Sequence, residues 1–153
     1  MKITTHLLLT LITGGFWPFY LIAKSCIRTK RYHHRYITME QIDYMTGDEF
    51  EILLEALFST FGFMVYRTHS TGDYGADLII ENSKTRIAVQ AKRYSSNVDV
   101  SAVQEVVATK SYYSCYEAMV VTNNYFTPAA KKLANANKVL LLDREWLINE
   151  LFS

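Results

Sequence analysis

Phe50, Leu53, Leu54, Leu57, Phe58 and Phe61 recur at spacings of three and four, while Asp48, Glu49, Glu51 and Glu55 fall mostly outside that stripe. This pattern predicts an amphipathic helix. Thr46-Gly47-Asp48 supplies capping chemistry in front of it, and Gly62 is a natural stop behind. The period then drops to two, and strands are expected at 63–68, 76–81 and 85–92. The Glu81-Asn82-Ser83-Lys84 connection reads as the turn of a hairpin between the last two. Val100, Val103, Val106 and Val107 restore the helical spacing over 99–113, capped from Asp99 or Ser101.

Ala118 to Thr122 is a continuous apolar run, as in a strand buried on both faces. Thr127-Pro128 opens a helix to about Ala136, Lys138 to Leu142 is a further short strand, and Asp143 caps a closing helix with Trp146, Leu147, Ile148 and Leu151 inward. The order α-βββ-α-β-α-β-α implies an α/β domain: a mixed sheet with helices on both faces.

The first part of the chain obeys a different rule. Between Lys2 and Lys24 lie 21 uncharged residues, about enough for one helix across roughly 30 Å of hydrocarbon. Phe16, Trp17, Phe19 and Tyr20 gather near its basic end, where aromatic rings favour the headgroup region. Gly14, Gly15, Pro18, His6 and four Thr weaken the span, and a helix folded onto the domain is the alternative. No small-x-small cleavage site follows the run, which argues against a signal peptide. The expected organisation is therefore a membrane-anchor segment at 1–37, contacting the bilayer through residues 3–23, and a domain at 38–153. The cations after the span place that domain in the cytoplasm, on a single-pass protein of the cytoplasmic membrane.

Charge sharpens the division. Residues 1–37 carry Lys2, Lys24, Arg28, Lys30, Arg31 and Arg35 and no acid, a net +6 against −5 for the remainder. The basic stretch suits anionic lipid, with nucleic acid as a second use, and adjacent His33 and His34 are too crowded by cations for a metal site. An acidic domain argues mildly against a nucleic-acid partner unless bound cations compensate. Cys26 and Cys115 lie far apart and read as free thiols.

Candidate chemistry lies in the hairpin. In the third strand Gln90 and Lys92 share a face, about 6.6 Å apart along it. In the preceding strand Asp77 starts the face opposite Ala76, Leu78 and Ile80, next to the turns containing Gly72 and Gly75. Pairing of the two strands would bring an acid, an amide and an amine together. Taken singly they mean little: a turn aspartate, a half-exposed amide and a solvated amine. Together they suit phosphodiester hydrolysis, which needs a hard cation such as Mg²⁺ and stabilisation of developing charge. Lys92 would orient or deprotonate the water, and Gln90 would offer an amide oxygen without charge.

These residues also carry a resemblance. Gly47-x-x-Phe50-Glu51, Thr71-Gly72-Asp73-Tyr74-Gly75-Ala76-Asp77-Leu78, Val89-Gln90-Ala91-Lys92-Arg93, and Val121-Thr122-Asn123 with Phe126-Thr127-x-x-Ala130 resemble, in order and spacing, the catalytic domain of Mrr-like restriction endonucleases. That group lies within the PD-(D/E)xK nuclease superfamily. The resemblance spans roughly 44–151. It implies a restriction-endonuclease-like αβββαβ core and DNA cleavage dependent on Mg²⁺ or Mn²⁺. It also implies that Asp77 is the metal-binding aspartate, Gln90 the glutamine this branch has where relatives carry Glu, and Lys92 the catalytic lysine. Glu51 matches an acidic position on the first helix that in such enzymes reaches the metal, although Glu49 and Glu55 are not distinguished from it by geometry. Asp73 matches too, with a turn-forming role as the alternative.

Around this site, His69 reads as a surface loop residue, and Arg93, Lys131 and Lys132 as solvated cations or phosphate contacts. Tyr112, Tyr113 and Tyr116 read as partial core. The expectation is a membrane-tethered DNA endonuclease used in restriction, defence or DNA processing. Double-strand cleavage would favour a homodimer. The alternatives are a binding module that keeps the fold without turnover, and a nuclease for structured DNA such as junctions.

Overall fold

The computed structural model describes residues 37–68 and 75–152. The expected span at 3–23, the basic stretch with Cys26, His33 and His34, and the 69–74 segment with His69, Gly72 and Asp73 lie outside the described residues. Among the described residues no helix is long and apolar enough to cross a membrane.

The described chain begins with a helix that hydrophobic periodicity did not predict: α1, Met39–Tyr44, is six residues long, too short to repeat a stripe. A capping box starts it, with Thr38 Oγ1 accepting from Gln41 N at 3.2 Å and Gln41 Oε1 accepting from Thr38 N at 2.9 Å. The same device starts α2, Gly47–Thr60, where Thr46 N donates to Glu49 Oε2 at 2.7 Å and Glu49 N donates to Thr46 Oγ1 at 3.2 Å. Gly62, at φ +85°, follows the helix as its spacing predicted.

Five strands form one sheet among the described residues: β1 Met64–Arg67, β2 Leu78–Glu81, β3 Arg86–Lys92, β4 Glu117–Thr122 and β5 Val139–Leu142, in that spatial order. The first three pair antiparallel and the last three parallel, so the sheet is mixed. The β2–β3 hairpin turns where the sequence placed it, with Asn82 Oδ1 accepting from Lys84 N and Thr85 N at 2.8 and 3.1 Å. Strand β2 starts two residues later than its pattern predicted, at Leu78. Asp77 nonetheless continues the ladder, its N donating to Val89 O at 2.9 Å.

Side-chain alternation divides the core in two. Leu78, Ile80, Ile87, Val89, Met119 and Val121 pack with the apolar stripe of α2 and with Leu147 of α5, Arg144–Phe152. Ile79, Ala88, Ala118 and Val120 face α3, Val100–Tyr112, and α4, Pro128–Asn137. At about 25 cal/mol per Å² of apolar surface removed from water, these two layers are the main source of stability. Two expectations need correcting. Of the four residues predicted inward on α5, Leu147 is fully buried, Trp146 and Leu151 are partly buried against the same core, and Ile148 is only partly covered. Tyr113 packs partly against the α3 layer, but Tyr112 and Tyr116 stand in solvent.

Candidate active site

The antiparallel register ends with Leu78 opposite Val89, and just before it Asp77 N donates to Val89 O while the Asp77 carboxylate meets the Gln90 side chain. Both strands alternate, which turns Asp77, Gln90 and Lys92 to the α3 side of the sheet, at the carboxyl ends of β3 and β4. That edge is where ligands enter sheets of this kind. Asp77 Oδ2 accepts from Gln90 Nε2 and from the Ala91 backbone N, both at 2.6 Å. An ionised carboxylate only accepts, so the amide must present its NH₂ group to Asp77. The consequence is an orphan: Gln90 is 4% exposed, and its buried Oε1 has no hydrogen-bond partner among the described residues. A buried acceptor without a donor is costly unless a ligand completes it.

Lys92, two residues on, reaches Glu105 of α3, with Nζ and Oε2 2.7 Å apart. Its ammonium also lies 5.9 Å from the centroid of the Tyr94 ring. Burial pulls the Lys92 pKa down, but the hydrogen bond and charge of Glu105, with Tyr94 and Asp77 behind them, leave it above the usual lysine value. Lys92 is therefore a cation at neutral pH. It is suited to holding and stabilising negative charge rather than to taking a proton.

Glu105 was not among the predicted site residues. Ala102 and Thr109 are buried on α3, and Glu105 lies three residues after the one and four before the other, in the same stripe. An acid in the middle of an apolar helix face is the signal that would have revealed it. Gly75 has the same neighbour. At φ +91° it packs so closely on α3 that a Cβ would come within 3.1 Å of both Cβ and O of Glu105.

Glu51 is placed elsewhere. It rises from α2, on the other side of the sheet from the α3 layer, and its carboxylate accepts from Arg67 at 3.2 Å. The structure brings Asp77, Gln90 and Lys92 together and ties Glu51 to the β1 edge instead. Arg93 Nη1 donates to Asp43 O at 3.4 Å, and its buried Nε has no hydrogen-bond partner among the described residues. Lys131 and Lys132 are exposed on α4. The Val121-Thr122-Asn123 run is a clamp, in which Asn123 Oδ1 accepts from Tyr94 N at 2.8 Å and Asn123 Nδ2 donates to Asp43 Oδ1 at 2.8 Å.

A family model described as restriction endonuclease, of the Mrr catalytic type, matches residues 42–151. The chain belongs to that family. A comparison with curated proteins finds no match. Among solved structures, the DNA modification-dependent restriction endonuclease AspBHI superposes with a TM-score of 0.61 at 18% identity, over 85% of this chain and 35% of its own. The MspJI restriction endonuclease in complex with a 27-mer oligonucleotide gives 0.51 at 19%, over 84% and 30%. A protein of unknown function, AF1548, gives 0.55 at 16%, over 66% and 62%. The likeness is one of fold, and this Mrr-type chain spans about a third of the length of the two restriction enzymes.

Proposed function

We propose that this Mrr-type domain is a divalent-cation-dependent DNA endonuclease. The observation that carries the reading is the convergence of Asp77, Gln90 and Lys92 on one sheet face, with the buried Gln90 Oε1 unpartnered among the described residues. The donor set fits a hard cation: Asp77 and the Gln90 amide carbonyl are both oxygens of the kind Mg²⁺ and Mn²⁺ take. When bound, such an ion would lower the pKa of a water and offset phosphate charge. Asp77 and Gln90 would hold it. The Lys92 ammonium would orient the phosphate and stabilise the negative charge that grows on its oxygens as water attacks. DNA as the substrate class is supported by family membership and by the likeness to AspBHI, a DNA modification-dependent restriction endonuclease.

The test is incubation of the full chain with supercoiled plasmid and Mg²⁺ or Mn²⁺, beside Asp77→Ala and Lys92→Ala. Each variant is expected to lose cleavage by at least about 100-fold. Equal cleavage by all three would end the assignment. DNA binding without cleavage, indifferent to chelator, would select the binding module in its place. Preferred cutting of branched over linear DNA would select a junction nuclease.

Residues 1–37 complete the proposal as a membrane anchor for the domain at 38–153, with residues 3–23 spanning and the nuclease facing the cytoplasm. Its support is the 21-residue uncharged run with cations following. Extraction of the chain from membranes by alkaline carbonate would refute it. One such site per chain cuts one strand at a time, so double-strand breaks would favour a homodimer on DNA, checked by sedimentation with and without a duplex.

A further inference from the structure

We infer that Glu105 supplies the second carboxylate of the cation site, furnishing from α3 the charge that Gln90 lacks on β3; this rests on the nuclease reading of Asp77, Gln90 and Lys92. Strands β2 and β3 present one carboxylate and one neutral amide to the site. Mg²⁺ sheds water reluctantly and is held mainly through carboxylates, so a single charge makes a weak site. Among the described residues no three His, Cys, Asp or Glu side chains cluster, and Asp77 and Glu105 are the two acids brought to Lys92 there.

Three observations place Glu105 in that role. Its carboxylate is already at the site, 2.7 Å from the Lys92 ammonium, with the side chain 41% exposed and thus open to a ligand arriving from solvent. Its backbone is the floor on which Gly75 rests. Asp77 follows two residues later, so the two acids are registered to each other by direct packing. Independently, the 96%-buried Gln90 leaves its Oε1, on this same face, without a hydrogen-bond partner among the described residues. If Glu105 served only to neutralise Lys92, the pair would be complete as it stands, and the orphaned carbonyl would gain nothing from it.

The two roles separate in cation binding measured without DNA or turnover. Mn²⁺ binding to the full chain, followed by loss of the free-ion electron paramagnetic resonance signal, is compared for wild type, Asp77→Asn, Glu105→Gln and the double variant Gln90→Glu/Glu105→Gln. Thermal unfolding of each verifies folding. Glu105→Gln is expected to weaken Mn²⁺ by roughly ten- to a hundredfold, and the double variant, with an acid returned to β3, to recover most of it. Wild-type affinity in Glu105→Gln, with binding lost in Asp77→Asn, would overturn this inference and leave the nuclease reading standing. Wild-type affinity in Asp77→Asn as well would bring down that reading too. No recovery in the double variant would also count against the inference, because it would mean the loss is not one of charge.

Discussion

Both terminal guanidinium nitrogens of Arg144 grip the Asp43 carboxylate, at 2.7 and 2.9 Å, across 101 positions of sequence. The pair joins α1 to the start of α5. It also reaches the site, because Asn123 is bonded to Asp43 through its side chain and to Arg144 through its carbonyl, at 2.8 and 2.9 Å. The same asparagine holds the backbone of Tyr94, two residues past Lys92. This network fixes the ends of β3 and β4 where the candidate chemistry lies.

Stability should therefore fall in acid through Asp43. Its hydrogen bonds from Arg144 hold the carboxyl below the usual range, against the opposing pull of burial and with help from Asn123 and Arg93. A depressed folded-state value means the contribution is present above the unfolded pKa, about 3.9, and is lost as pH drops through the folded one. At 34% and 25% side-chain exposure the pair is partly screened, so Asp43→Asn should cost about 1–2 kcal/mol at pH 7. Urea midpoints at pH 7 and pH 3 check this: the gap between wild type and variant should narrow in acid. An equal gap at both pH values would contradict it.

Gly75→Ala should damage the site more than the fold. A methyl there meets the Glu105 backbone at 3.1 Å from a backbone at φ +91°, at a cost of about 1–3 kcal/mol. The strain falls on the segment entering Asp77, so cleavage should drop further than the unfolded fraction explains. Gly47→Ala is the control, since nothing lies within 4 Å of its added carbon. It should be neutral or gain up to about 1 kcal/mol. Matching losses in the two variants would remove the special role of Gly75.

Removal of divalent cations should abolish cleavage and spare the fold. The two apolar layers on either side of the sheet contain none of Asp77, Gln90, Lys92 or Glu105. Far-ultraviolet circular dichroism should be unchanged in EDTA, while excess Mg²⁺ should raise the melting temperature by mass action. Loss of helical signal on chelation would refute this separation of core from site.

Cys115 should be inert in the native protein. It is 7% exposed, and burial pushes its thiol pKa up, with Arg86 acting the other way. In a Cys26→Ser background, Ellman's reagent at pH 8 should react only after urea unfolds the chain. Immediate labelling would show the α3 layer to be open.

Much of this protein was legible along the chain. Periods of 3.6 and 2, caps at Thr46, Asp99 and Thr127, and the Asn82 turn are local interactions, formed within a few residues of one another. Among the described residues they were sufficient to place each strand and each helix but the six-residue α1. The hairpin was sufficient to put Asp77 beside Gln90 and Lys92, because a short turn fixes register and register fixes which face each side chain takes.

The partners were decided elsewhere. That Lys92 meets Glu105, that Asp43 meets Arg144, and that Glu51 bonds Arg67 on the far side of the sheet depend on which helix crosses which strand end. Packing of the whole core sets those crossings, through contacts between distant segments that no local period encodes. The sequence by itself determined the elements and the central acid, amide and amine; only their tertiary assembly determined which charges stand around them.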